Sequence, residues 1–417
     1  MAETKKRLDS LDVFRGLTIA SMLIVNNPGS WSFVYEPLDH ASWNGCTPTD
    51  LIFPFFLFIV GVAIKLSLDK KIMEPDQKGM IAGIVRRSLS LYGLGLILAS
   101  WTLMTRTLPA ALFQIQDGSW FHLHMSMVPK TMADFWAGVG MIRLTGVLQR
   151  IAFCYLAASL IYIKFTRKTD QGIEVDTKSI SAITAIILVG YFLVMTLAWV
   201  PGFGMGHIDS KEANLAAYID RIVLGKHIWA GGEGIYDPEG ILSTFPAIAT
   251  SLTGILCGCL LRRRNEPEKM LMTMFAYGTA TAITGYILSA FMPFNKALWS
   301  SPYVLWTTGL GMIFLAFCYW YTDYMGFKLG TQPFLYHGTN AITVFFLSGL
   351  FAREISLNKF LLADGKTIPI QKWFFTHFCQ STWWSDYNAS LIYAICFISF
   401  WTFLMWLLYR KKIFIKI

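Results

Sequence analysis

Residues 51–68 read Leu51-Ile-Phe-Pro-Phe-Phe-Leu-Phe-Ile-Val-Gly-Val-Ala-Ile-Lys-Leu-Ser-Leu68, and Lys65 is the one charge among them. At about 1.5 Å of rise per residue, a helix of this length nearly spans a hydrocarbon core of roughly 30 Å. The pattern repeats. Windows of about 20 residues mark ten candidate spans, at 11–25, 51–68, 84–104, 140–164, 180–200, 241–261, 270–292, 300–322, 333–352 and 389–410. The first is short and carries Asp12 and Arg15. With 54% hydrophobic and 15% charged residues, a soluble domain of 417 residues would lack the polar atoms to cover itself. The expected fold is an all-α integral membrane protein: one domain over residues 1–417, a polytopic bundle of about ten transmembrane helices.

Basic residues set the expected orientation. Lys5, Lys6 and Arg7, the group from Lys65 to Arg87, Lys164 to Lys178, Arg262 to Lys269, and Arg410 to Lys416 fall in alternate connections, while the longer remaining loops are sparsely basic. The positive-inside rule then puts both termini in the cytoplasm and the loops near 26–50, 105–139, 201–240 and 353–388 outside. This bias accounts for the net charge of +9 without any nucleic-acid partner. No small-residue cleavage site follows the first span, so an uncleaved anchor is expected.

The first external loop holds Asn26, Asn27, Trp31, Tyr35, Glu36, Asp39, His40, Trp43 and Asn44, and no Lys or Arg. An imidazole pinned at a membrane face can exchange protons near neutral pH, and Trp43 and Asn44 are groups that could orient a sugar. Loop content alone favours the plainer account, an interfacial aromatic belt. No cluster has metal-ligand spacing: His122 and His124 lack a third ligand in any recognisable pattern. Of the seven cysteines, only Cys46 and Cys379 are expected outside the bilayer, and sequence does not say whether they pair.

Charges inside a membrane tend to face a cavity or a partner. Arg143, Gly146 and Arg150 fall on one face if a helix begins near residue 140, which would set Arg150 about 15 Å down it. They either line a passage or pair with a carboxylate such as Asp12 or Asp50. Asp12 and Arg15 lie one turn apart and suit each other. Asp50 opens the second span beside Thr47 and Thr49, where it can cap the helix or take part in chemistry. Asp237 and Glu239 sit in a Tyr-Asp-Pro-Glu-Gly turn, either as surface acids or as a site for an ammonium.

The strings Leu11-Asp-Val-Phe-Arg-Gly16, Val25-Asn26, His40-Ala-Ser-Trp-Asn-Gly45 and Asp50-Leu-Ile-Phe-Pro-Phe-Phe-Leu-Phe-Ile-Val-Gly61 resemble the heparan-α-glucosaminide N-acetyltransferase family. So do Arg143-Leu-Thr-Gly-Val-Leu-Gln-Arg-Ile-Ala152, Tyr236-Asp-Pro-Glu-Gly240 with Ser243-Thr-Phe-Pro-Ala-Ile-Ala249, and Asn340-Ala-Ile. The resemblance implies transfer of acetyl from cytoplasmic acetyl-CoA to the amine of a glucosamine-type sugar outside, with His40 catalytic, Asn26 beside it, and no metal. It implies a substrate site at Trp43, Asn44, Asp237 and Glu239, a donor site at Arg15, Arg143, Arg150 and Asn340, and a homodimer. Cys46 departs from the aliphatic residue expected there, and the chain begins at the first matching span. It thus looks like a short bacterial form, in a bacterial cytoplasmic membrane, with a free amino sugar or oligosaccharide as acceptor. An O-acyltransferase of a surface polysaccharide and a secondary transporter for a sugar or anion are the other classes weighed.

Overall fold

The computed structural model describes residues 8–74, 79–107, 132–170, 172–261, 265–361 and 366–415. His122 and His124 lie outside the described residues. The helices are α1 (Asp9–Val25), α2 (Ile52–Met73), α3 (Met80–Thr107), α4 (Met132–Val139), α5 (Val147–Lys164), α6 (Thr177–Leu197), α7 (Leu215–Leu224), α8 (Thr244–Leu260), α9 (Pro267–Leu288), α10 (Ser301–Tyr319), α11 (Gln332–Thr339), α12 (Ala341–Leu357), α13 (Ile370–Phe374) and α14 (Asp386–Arg410). Three two-stranded antiparallel hairpins join them: β1 (Thr166–Thr169) with β2 (Gly172–Val175), β3 (Trp199–Val200) with β4 (Gly204–Met205), and β5 (Lys359–Leu361) with β6 (Thr367–Pro369). The protein is an all-α polytopic membrane protein, as its hydropathy implies.

Seven helices among the described residues are long and apolar enough to cross a bilayer, or eight if α11 and α12 count as one span bent by 85°. The two remaining expected spans correspond to α1 and α8, each 17 residues long. The expected helix over 140–164 begins only at Val147. Gly146 has φ +149°, a backbone region closed to most residues, and residues 142–145 before it are not helical. Arg143 and Gly146 therefore do not share a helical face with Arg150. Arg150 sits three residues into α5, about 5 Å along its axis rather than 15 Å.

Burial separates the helices by role. Helix α2 buries Leu57, Phe58, Ile59, Val62, Ile64 and Leu68, whereas α6 presents Ile186, Val189, Leu193 and Leu197 in an exposed stripe suited to lipid. Close crossing at the centre uses glycine. A Cβ on Gly61 of α2 would stand 1.9 Å from the Ser251 carbonyl oxygen of α8, and one on Gly254 of α8 would stand 2.1 Å from that of Phe58. Both ends of the described chain converge at one end of the bundle. The Asp9 and Ser10 amides donate to Asp323, and Asn340 binds the tail through Ile413 and Ile415.

Because the Ser251 carbonyl cannot move out of its helix, Gly61→Ala must force α2 and α8 apart, at about 1–3 kcal/mol. The expected result is a clear loss of thermal stability in detergent, set against Gly190→Ala, where a Cβ meets open space. Equal stability of the two variants would refute the close crossing.

Candidate active site

The loop between α1 and α2 is closed by a capping box: Asp50 accepts from the Thr47 amide and hydroxyl, both at 3.1 Å, at the start of the 3-10 turn Pro48–Leu51 that leads into α2. The same Asp50 Oδ2 accepts from the Ala41 amide at 3.1 Å, and its Oδ1 lies 2.7 Å from His40 Nδ1. Asp50 is buried, so its charge is directed into these contacts. A carboxylate at Nδ1 selects the tautomer with hydrogen on Nδ1 and leaves Nε2 with its lone pair, the arrangement a general base needs. The imidazole is 41% exposed and lines a cavity of about 780 Å³ with Tyr35, Glu36, Asp39, Ser42, Asn44 and Thr47.

A third group joins this pair from a distant part of the chain. Lys296 Nζ lies 3.1 Å from each His40 ring nitrogen and 3.8 Å from Asp50 Oδ1. Burial pulls the Lys296 amine below the ordinary lysine range, opposed mainly by the Asp50 carboxylate. Burial also pushes the nearby Cys46 thiol up to about 12, so it is an inert neutral group, and Cys46 and Cys379 are both free.

Trp43 and Asn44 tie loops together around the imidazole. The Trp43 indole donates to the Ile208 carbonyl at 3.1 Å and packs edge-on against Tyr236 at 5.1 Å. The Asn44 amide donates to Asp209 at 2.6 Å and accepts from Asn295 at 3.1 Å. Asp237 and Glu239 face inward rather than outward. Arg143 clamps both, through a bidentate contact to Asp237 and a 2.5 Å contact to Glu239, while Thr145 donates to Asp237 at 2.6 Å. Their charges are therefore balanced by a guanidinium, which holds Asp237 below the usual carboxylate range although burial alone would raise it.

Arg150 has neither of its expected partners. It donates to the Gly240 carbonyl at 3.2 Å and to the Ser243 hydroxyl, and its guanidinium lies 5.1 Å from the Trp299 ring centre. Asp12 instead pairs with Arg15 at 3.3 Å. Arg15 and Asn340 belong to the end of the bundle where the chain ends converge, away from His40.

Asn26 also stands apart from His40. It lines a second cavity, of about 520 Å³, with Asn27, Arg143, Gly146, Gln149, Trp229 and Arg353. The structure thus brings His40 together with Asp50 and Lys296, and Asn26 together with Arg143. Asp50 was visible in sequence as a helix cap with an open second role. Lys296 gave no signal, being one basic residue in a loop between two expected spans.

Asp220 of α7 shows how tightly the charges are counted here. It accepts from the Ile241 amide at 2.9 Å, yet burial, together with the neighbouring Asp237 carboxylate, pushes its carboxyl up to about 6. A folded-state value above the unfolded one means that stability is full below pH 4 and is lost as pH rises from 4 to 6. The rise from 3.8 corresponds to about 3 kcal/mol. Asp220→Asn should therefore gain thermal stability over the parent protein at pH 7 and not at pH 4; a difference independent of pH would refute this.

Comparison with known proteins agrees with the motifs. Residues 7–200 match the family described as heparan-alpha-glucosaminide N-acetyltransferase, catalytic. Over 99% of its length the chain is 27% identical to the heparan-alpha-glucosaminide N-acetyltransferase of Mus musculus and 28% identical to that of Homo sapiens. It spans about 60% of the length of these relatives. These matches take in His40, Asp50, Arg143 and Arg150, so the residues of the site lie within the part of the chain that is similar to the heparan-alpha-glucosaminide N-acetyltransferase family.

Proposed function

We propose that this protein is a transmembrane acetyltransferase that moves acetyl from cytoplasmic acetyl-CoA to the amine of a glucosamine-type sugar on the opposite, external face. The observation that carries the reading is the 2.7 Å contact between His40 Nδ1 and the buried Asp50 carboxylate at the edge of an open cavity, within the family motif. In this mechanism Asp50 fixes the tautomer and His40 Nε2 accepts the proton of the sugar amine as its nitrogen attacks the thioester carbonyl. The acetyl group passes directly to the amine, since an acylimidazole on a 41% exposed histidine would meet water.

Charge bias supports placing both termini in the cytoplasm, with His40 facing outward from a bacterial cytoplasmic membrane and with ten crossings. The donor would approach from the end bearing Arg15 and Asn340. Its polar chain would reach the second cavity, where Arg143, Gln149 and Asn26 offer donors. Trp43 and Asn44 shape the acceptor site by fixing its walls. Asp237 and Glu239 act through Arg143, whose orientation they set. A homodimer completes the proposal.

The test is transfer of radiolabelled acetyl from acetyl-CoA to glucosamine by the detergent-purified protein. Loss of a general base should lower the rate about 10²–10⁴-fold in His40→Ala. Labelled sugar from both proteins would remove His40 from its role. Binding of acetyl-CoA without any labelled sugar would point to a hydroxyl acceptor, and no binding at all to a transporter.

A further inference from the structure

The loop between α9 and α10 delivers Lys296 to the imidazole, and its construction is unusually constrained. Asn295 is fully buried, and its side chain accepts from the Leu298 amide at 2.8 Å. The Ser300 hydroxyl receives the Asn295 amide at 3.1 Å and donates to the Pro293 carbonyl at 2.8 Å. Trp299 holds φ +53°, a left-handed conformation that is strained for a bulky residue and persists only where the surroundings enforce it. Its indole is fully buried, donates to Thr250 at 3.0 Å and packs against Phe53 and Tyr303. The loop is locked to the histidine loop as well, through the Gly45 amide on the Phe294 carbonyl at 2.7 Å and Asn295 on Asn44. Such a frame fixes the backbone from which the lysine side chain reaches the imidazole.

Acyl transfer needs a hydrogen-bond donor for the oxyanion that forms when the amine attacks, and the donors around His40 are nearly all committed. The His40 backbone amide donates to Asp39, the Ala41 and Thr47 amides to Asp50, and the Asn44 side-chain amide to Asp209, while Ser42 lines the cavity without contacting the imidazole. Asn26, the other amide in the family motif, lines the separate cavity. Lys296 is the donor within 3.1 Å of Nε2, the atom on which the transferred proton arrives. A carbonyl whose carbon is attacked by an amine held at Nε2 lies within reach of the same Nζ.

We propose that Lys296 is a catalytic residue of the acyl transfer, its amine donating to the thioester oxygen in the transition state. This assignment rests on the acetyltransferase reading of the His40 site. At rest the amine stands over the imidazole, 3.1 Å from both ring nitrogens, and leaves the in-plane Nε2 lone pair open. When donor and acceptor bind, the sugar nitrogen takes the lone-pair position and Nζ turns from the ring face to the carbonyl oxygen. The nitrogen's lone pair forms the new C–N bond, the carbonyl π pair moves to oxygen and is held by Nζ–H, and His40 Nε2 takes the proton from nitrogen. Collapse restores the C=O bond and expels the CoA thiolate, which recovers the proton from His40. The products are the N-acetyl sugar and the free thiol.

The experiment compares the parent protein with Lys296→Met, Lys296→Arg and Lys296→Ala in detergent, measuring kcat, KM for each substrate and thermal stability. Removing one oxyanion donor should lower kcat about 10²–10³-fold in Lys296→Met with both KM values little changed. Lys296→Arg should retain more activity than Lys296→Met. Added ethylamine should partly restore acetylated sugar, scored separately from acetylated ethylamine, to Lys296→Ala, and tetramethylammonium should not. A kcat loss that follows a fall in thermal stability and resists ethylamine would make Lys296 merely structural and overturn the proposal. Full kcat in Lys296→Met overturns it too. Failure of the parent protein to acetylate any amino sugar would instead bring down the acetyltransferase reading, and this assignment with it.

Discussion

The buried carboxylate of Asp50 is the point on which the site depends. One side chain closes the helix cap with Thr47, receives the Ala41 amide and holds His40. A carboxylate taken out of water must spend every lone pair, and here each contact does two jobs. The cap starts α2, the helix that crosses the centre of the bundle, and the same atoms aim the imidazole. The placement of the imidazole is therefore inherited from a rigid element instead of from a flexible loop.

The same economy explains why the loops around His40 fold against each other. The histidine loop has no apolar core of its own, and it is held by Trp43 on Ile208 and Tyr236, by Asn44 on Asp209 and Asn295, and by Gly45 on Phe294. Groups expected to touch a sugar are thus the ones that fasten three loops together. A polar residue at such a junction shapes a binding site by deciding where its walls stand.

Legibility in the sequence followed the range of each interaction. Membrane spans are a property of local composition, and every one expected met a helix, though the fourth began seven residues late because Gly146 turns the chain. The cap at Thr47 and Asp50 is equally local. His40 became legible only through its motif. Lys296 was beyond reach, since the contact joins residues 256 apart in sequence and the lysine stands in a loop where no pattern marks it. Asp237 and Glu239 were found as a pair, with surface acids and an ammonium site both open; a turn with two acids does not show that both are buried against Arg143.

Charge balance connects these separate pieces. Arg143, Arg150 and Lys296 supply three cations to this end of the bundle, and Asp50, Asp237 and Glu239 supply three carboxylates. Arg150 has no carboxylate in contact, but it shares the field of Glu239 and Asp237, and Lys296 feels both Asp50 and Glu239. The row is neutral as a whole, which is the condition under which charges can be kept from water without prohibitive cost. Asp220 is the carboxylate left over. It has a backbone amide but no cation of its own, and it is the one whose ionisation is pushed up to about 6. Asp220 stands outside that count, and keeping its charge costs stability as pH rises through its raised value. In the proposed transfer a proton taken up by His40 would add one positive charge to this row, and handing it to the departing thiolate would restore the balance.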